Sequence, residues 1–133
     1  MLSKITKGYK SLLEEANSEI ETITVNKAIS LHNNSDYKFI DLRDIREMKR
    51  SGKIPGAFSC PRGMLEFWID PESPYHKEIF SENKHFIFYC ASAWRSALAT
   101  KTAKDMGMSS VSHIEGGFTN WKKSGGKIEE IVN

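Results

Sequence analysis

Short apolar runs alternate with helix-forming segments along almost the whole chain. This alternation narrows the choice of fold more than any other feature. Thr22 to Val25 is short and β-branched and reads as a first strand. A short helix follows through Leu31, and Asn33-Asn34-Ser35-Asp36 forms a turn cluster. Lys38 to Leu42 reads as a second strand and runs into the charged segment Arg43 to Lys49; Gly52, Pro55 and Gly56 then break the chain. Ala57 to Cys60 is a third, short strand before Pro61, followed by helical pieces at Met64 to Trp68 and Tyr75 to Phe80. His85-Phe86-Ile87-Phe88-Tyr89 is the most apolar strand candidate, and Cys90 closes it. A helix is predicted from about Arg95 to Met106, with Gly107 as its C-terminal cap. Val111 to Ile114 is the last strand, and Gly116-Gly117 turns into a final helix near Phe118 to Lys123. Such alternation implies a parallel sheet with helices on both faces, a three-layer α/β/α sandwich. Ligands of such sheets bind outside the carboxyl ends of the strands, which is where Cys90 sits.

The 133 residues are enough for one domain with a core of its own, without a metal or disulfide staple. Net charge is only +2, too small an excess to argue for nucleic acid or an anionic membrane. No apolar run approaches the roughly 20 residues that span a bilayer. Met1 to Tyr9 lacks the apolar core of a signal peptide, so the expected location is cytoplasmic. The two cysteines, Cys60 and Cys90, make no disulfide framework, and His32, His76, His85 and His113 show no metal-ligand spacing. No metal and no cofactor are expected. Leu2, Ile5, Tyr9, Leu12, Leu13, Ala16 and Ile20 recur at steps of three and four, an amphipathic stripe. Residues 1–21 therefore read as a helical extension ahead of a domain over 22–133. The stripe packs either on that domain or on a second copy, which leaves monomer and homodimer both open.

The segment Cys90-Ala91-Ser92-Ala93-Trp94-Arg95-Ser96 joins a strand to a helix. Backbone N–H groups at a helix start lack intrahelical partners, and the helix dipole adds partial positive charge there. The four residues between Cys90 and Arg95 can curl so that their amides converge on one spot. Such a cradle suits a thiolate, a persulfide or a substrate oxyanion. Arg95 adds fixed charge and a planar donor fork, and Ser92 and Ser96 bring hydroxyl groups.

This loop resembles the active-site loop of rhodanese-like sulfurtransferases: a cysteine, four residues, an arginine and a small hydroxyl residue. Further segments resemble the same family in the same order. Ile40-Asp41-Leu42-Arg43-Asp44 is similar to its Asp-x-Arg-acidic strand end, and Gly52-Lys53-Ile54-Pro55-Gly56-Ala57 to its Gly-His-Ile-Pro-Gly-Ala turn. Gly116-Gly117-Phe118 with Trp121 is similar to its closing Gly-Gly-x-x-x-Trp. Pro61-Arg62-Gly63 and the stretch to His76 resemble a subgroup of single-domain members. The resemblance implies a five-stranded parallel sheet in the order 1-5-4-2-3. It also implies that Cys90 takes a sulfane sulfur from a small anionic donor such as thiosulfate and passes it, as a persulfide, to cyanide, a thiol or a protein acceptor. Two positions depart from the pattern: Ala93 stands where the family often has Gly, and Lys53 where it often has His. If residue 93 is left-handed, alanine there costs roughly 1–2 kcal/mol.

Ala91, Ser92, Ala93, Trp94 and Ser96 are thus candidate substrate-binding residues beside Cys90 and Arg95 as candidate catalytic residues. Asp41, by the resemblance, supports the site through hydrogen bonds; the plain alternative is an ordinary strand-end acid. Arg62 either helps bind an anionic substrate or is a solvated surface arginine. Trp94 either walls the pocket or packs on a helix. Cys60 reads as a small buried residue, with a resolving thiol as the alternative. Three functions fit: a sulfurtransferase, a sulfur-relay or binding module acting with a protein partner, and a phosphatase or arsenate reductase. Phosphate-type loops of related folds carry one more residue between cysteine and arginine, which disfavours the last.

Overall fold

The computed structural model describes residues 3–132. Its strands are β1 (Glu21–Ile23), β2 (Tyr37–Asp41), β3 (Phe58–Ser59), β4 (His85–Tyr89) and β5 (Val111–Ile114). They form one sheet, all parallel, in the order β1-β5-β4-β2-β3. The helices are α1 (Tyr9–Glu19), α2 (Val25–Leu31), α3 (Ile45–Ser51), α4 (Leu65–Ile69), α5 (Trp94–Asp105) and α6 (Gly117–Lys123). The sandwich and the strand order are those expected.

Alternation along the strands divides the core in two. Phe39, Ile87, Tyr89 and Ile114 face one side and pack on Val25 and Ala28 of α2 and on Phe118 and Trp121 of α6. Ile40, Phe86, Phe88 and Val111 face the other and pack on Leu65 of α4 and on Ala99 and Ala103 of α5. The small residues of α5 let that helix lie close against β4 and β5. β4 is the middle strand, buried from Phe86 to Tyr89, so its carboxyl end opens at the centre of the sheet edge.

Several boundaries differ from the sequence reading. Val25 opens α2 instead of closing β1, because the Thr24 hydroxyl accepts from the Lys27 N–H and caps the helix. The charged segment after β2 is a helix, α3. The Asp44 carboxylate accepts from the Arg46 and Glu47 amides, and the Glu47 carboxylate accepts from the Asp44 N–H, a complete capping box. α1 starts at Tyr9, with Ile5 77% exposed outside it; Leu2 lies outside the described residues. Of the stripe only Ala16 is fully buried, where α1 crosses α5. No helix among the described residues is long and apolar enough to cross a membrane.

Candidate active site

Cys90 follows the last residue of β4 and is 1% exposed. Its Sγ accepts a hydrogen bond from the Ser96 N–H at 3.4 Å, in the first turn of α5. Between them the chain curls through Ala93, which sits at φ 80°, ψ −1°, the left-handed region. It is the only non-glycine residue with positive φ among those described. That conformation carries the alanine cost anticipated for this position. In return it caps α5, whose Ala97 N–H donates to the Ala93 carbonyl at 3.0 Å.

The back of the loop is clamped by α6. The Phe118 N–H donates to the Cys90 carbonyl at 2.8 Å, and the Thr119 N–H to the Ala91 carbonyl at 3.1 Å. A Cβ on Gly117 would meet those same two carbonyl oxygens at 2.6 and 2.7 Å, so only glycine allows this approach. The Gly-Gly pair thus does more than turn the chain. It lets the start of α6 hold the loop's carbonyls outward, away from the side where an anion would sit.

Arg95 points across to α3. Its two terminal nitrogens donate to the two carboxylate oxygens of Glu47, each at 2.8 Å. This fork raises the Arg95 pKa and lowers that of Glu47, so the pair stays ionised across the whole working range of pH. Cys90 lies close enough to add a smaller electrostatic contribution to the same shift. Sequence reasoning missed Glu47. The Asp44-x-x-Glu47 capping pattern was the available signal for the helix that carries it.

Ser96 contributes through its backbone. Its hydroxyl lies 2.9 Å from His113 Nδ1 on β5, and His113 Nε2 lies 2.9 Å from the Thr22 hydroxyl on β1. The expected role of the Ser96 hydroxyl as a substrate donor is therefore corrected, since that group is buried and directed at His113. Burial pushes the His113 pKa down to about 4, so the ring is neutral. The chain Thr22–His113–Ser96 fixes the first turn of α5, and with it the amide that reaches Cys90.

Asp41 is fully buried and ion-paired with Arg43, which donates to it from its backbone N–H, its Nε and one terminal nitrogen at 2.7–3.0 Å. Arg43 also donates to the Gly52 carbonyl and the Ser51 hydroxyl and lies 4.3 Å over the Phe118 ring. Asp41 therefore braces β2, α3 and α6 around the loop. Arg62 does not reach the loop. Its guanidinium pairs with Glu66 at 3.0 Å and lies 3.5 Å from the hydroxyl of Thr102. Thr102 is about 12 Å along α5 from Trp94 at the usual helical rise. Trp94 is 57% exposed and packs on Tyr9 of α1, centroids 5.1 Å apart, outside the cradle. Cys60 is fully buried, and burial pushes its thiol up to about 12, the behaviour of a core residue.

A cleft of about 310 Å³ opens beside Ala91, between α3 and α6, with Arg43 and Phe118 among its lining residues. The fold and the loop together define an α/β protein whose central strand ends in a cysteine cradle with an arginine in the following helical turn. Residues 24–124 match the Rhodanese-like domain family, and the chain belongs to it. It is 30% identical over 104 residues to mouse (Mus musculus) thiosulfate sulfurtransferase/rhodanese-like domain-containing protein 3. That match covers 74% of this chain and 66% of the mouse protein, so the chain spans about two thirds of that relative. Among solved structures, a Rhodopseudomonas palustris protein, described as of unknown function and a possible tyrosine phosphatase, is 61% identical with a TM-score of 0.94. The likeness covers 97% of this chain and 99% of that one. The human single-domain sulfurtransferase TSTD1 is 25% identical with a TM-score of 0.66, over 77% of this chain and 95% of that one.

Proposed function

We propose that the chain is a sulfurtransferase in which Cys90 carries the transferred sulfur. The observation that supports this best is the Ser96 N–H directed at Cys90 Sγ from a helix start, at the mouth of a parallel sheet. The Cys90 thiolate attacks the sulfane sulfur of a donor such as thiosulfate. The donor's S–S bond breaks, and sulfite leaves with the bonding pair. The persulfide so formed, carrying a terminal sulfur anion, is held by the loop amides and by the charge of Arg95. An acceptor nucleophile such as cyanide or a thiolate then attacks the outer sulfur, and Cys90 returns as thiolate.

The loop length favours sulfur over phosphorus. Four residues between Cys90 and Arg95 leave a cradle for one anionic atom or one end of thiosulfate. A phosphoryl group brings a tetrahedron of oxygens that all need donors. Phosphoester cleavage also needs an acid for the leaving oxygen, and the loop carries none. The carboxylate that does reach the loop, Glu47, is held by the fork of Arg95, and Glu66 is paired with Arg62. The test is intact mass after incubation with thiosulfate, beside hydrolysis of an aryl phosphate on the same preparation. One added sulfur on the Cys90 peptide, absent in Cys90→Ser, and negligible phosphate release are expected. Sulfur only at Cys60, or Cys90-dependent phosphatase turnover exceeding sulfur transfer, overturns the assignment.

A further inference from the structure

His113 is a buried ionisable side chain with no part in the chemistry proposed for Cys90. It stands on β5 between Phe88 of β4 and Thr22 of β1, in one row across the sheet. Phe88 packs on Ala99 and Ala103, so the row faces α5. Both ring nitrogens meet hydroxyls at 2.9 Å, Nδ1 that of Ser96 and Nε2 that of Thr22. The ring is neutral, so one nitrogen donates and the other accepts. Ser96 decides which. It is fully buried, and Nδ1 is the one acceptor its hydroxyl reaches among the described residues. A buried hydroxyl proton without an acceptor is costly. The Ser96 hydroxyl therefore donates to Nδ1, and the ring proton sits on Nε2, which donates to Thr22. Thr22 is exposed, so its own hydroxyl proton goes to water. Each polar group of Ser96 then has its partner. The hydroxyl is tied to β5, the carbonyl accepts from the Thr100 hydroxyl at 2.6 Å, and the N–H points at Cys90 Sγ at 3.4 Å. That N–H is the third of α5, one that an N-cap side chain usually takes. The N-cap here is Ala93, which has no side-chain acceptor, and the cysteine sulfur fills the place.

We propose that His113 is a positioning residue for Cys90: through the Ser96 hydroxyl it holds the Ser96 N–H on the cysteine sulfur. Nδ1 is a fixed acceptor on the sheet, and the hydroxyl it binds belongs to the same residue as the amide. The first turn of α5 is thereby locked in distance and in rotation against β5, while β4 presents the sulfur from the neighbouring strand. A donor to developing negative charge works only while it stays aimed, and a displacement of about 1 Å at such a site can cost on the order of 10²-fold in rate. His113 thus acts on the thiolate without touching it and without exchanging a proton. Its effect on sulfur transfer rests on the sulfurtransferase reading of Cys90, whereas its effect on the reactivity of the thiol does not.

The experiment compares wild type with Ser96→Ala, His113→Leu, the double variant of the two, and His113→Asn, each shown to be folded by a cooperative urea transition. Two rates are read on the Cys90 peptide by mass at one fixed pH: alkylation by iodoacetamide and sulfur loading from thiosulfate. Ser96→Ala keeps the amide and removes the tie. Leucine offers Ser96 no acceptor, whereas the side-chain oxygen of asparagine stands near the place of Nδ1. Ser96→Ala and His113→Leu should each slow both reactions about tenfold, the scale of one weakened hydrogen bond to a charged group. The double variant should be no slower than the slower single one, because both act through one contact. His113→Asn should recover most of the loss. Ring nitrogen chemical shifts of wild type should show a bare Nδ1 and a protonated Nε2. A protonated Nδ1, single variants that alkylate within about twofold of wild type, a double variant slowed by the product of the single effects, or an asparagine variant no faster than the leucine one overturns the assignment. If alkylation follows the expected pattern while wild-type Cys90 takes no sulfur, the sulfurtransferase reading fails and the positioning role of His113 stands.

Discussion

Ala93 is the residue whose chemistry is most at odds with its backbone. At φ 80° its methyl group opposes the carbonyl contacts that a left-handed residue makes, a cost of roughly 1–2 kcal/mol. Glycine removes that cost but gives the unfolded chain more freedom to lose. Ala93→Gly should therefore stabilise by about 0.5–1 kcal/mol, seen as a higher urea midpoint with an unchanged slope. Sulfur transfer should be kept or raised. A folded variant with clearly reduced turnover would show that the methyl group packs usefully against substrate. Arg95 makes a different demand on its chemistry, because it serves Glu47 with both ends of its fork and Cys90 with its charge. Arg95→Ala should cost on the order of 10²-fold in rate, the usual loss when a donor at developing charge is removed. Arg95→Lys keeps the charge but has no planar fork for Glu47, and should recover only part of that loss. Activity within a few-fold of wild type in a folded Arg95→Ala would show that the residue only ties α3 to the loop.

Elements set how these residues meet, and here the limits of sequence reading are physical. β4 and the loop after it were legible because their signals are local: an unbroken apolar run, a cysteine at its end, and small residues along the next helix. α2 and α6 were placed within a residue or two for the same reason. α3 was passed over because its exposed, charged face hides the single buried residue, Met48. The Glu47–Arg95 pair joins residues 48 apart in sequence, and the Ser96–His113 pair residues 17 apart. Neither partner betrays the other without the fold. Arg62 stayed open between anion binding and a surface role, because a strand end fixes where a chain emerges, while the local acid, Glu66 four residues on, decides where the side chain turns. The Thr22–His113–Ser96 chain also carries a pH signature. Burial holds His113 at about 4, against an ordinary value of 6.5 in the unfolded chain. Between those values the unfolded state binds a proton that the folded state refuses, so stability rises with pH. The contribution is complete above pH 6.5 and is lost as pH falls toward about 4, at up to about 1.4 kcal/mol per pH unit. His113→Gln should flatten urea midpoints across that window, leaving the slope of His85, whose pKa burial also lowers, and at the acid end that of Glu47, whose pKa the Arg95 fork lowers. An unchanged slope in His113→Gln would mean that the titrating group lies elsewhere.

At the scale of the whole molecule, the question is which parts the sheet needs. The strand order puts β4 between β5 and β2, so the loop after β4 is flanked by the ends of both neighbours. β5 supplies His113, and the end of β2 supplies Asp41 with Arg43. Helices α3 and α6 then close over the loop from either side through Glu47 and through the Phe118 and Thr119 amides. Every hydrogen bond described above as holding the loop thus comes from residues 22–119, and the family match begins at residue 24. α1 stands apart. Neither apolar cluster contains a residue of it, and its footing on α5 is Ala16 with half-buried Leu13 and Ile20 beside it, together with Glu19, which meets Lys101 through its carboxylate and Lys104 through its carbonyl. Burial of that size stabilises by about 2–3 kcal/mol, well short of what a domain of this length holds in total. Its one tie to the loop is Tyr9 on Trp94, and both rings are more than half exposed. We therefore propose that residues 22–133 form the domain and that α1 is an extension resting on it. A chain beginning at Glu21 should still melt in one cooperative transition, at a lower temperature, with Trp94 fluorescence shifted to the red by loss of Tyr9. Sulfur loading of Cys90 from thiosulfate should survive, because every group that hydrogen-bonds to the loop is kept and only the Tyr9 contact with the exposed Trp94 ring is lost. A truncated chain that melts without cooperativity, or folds but no longer loads Cys90, would make α1 an integral part of the domain, with the Tyr9–Trp94 contact as the route by which it supports the loop.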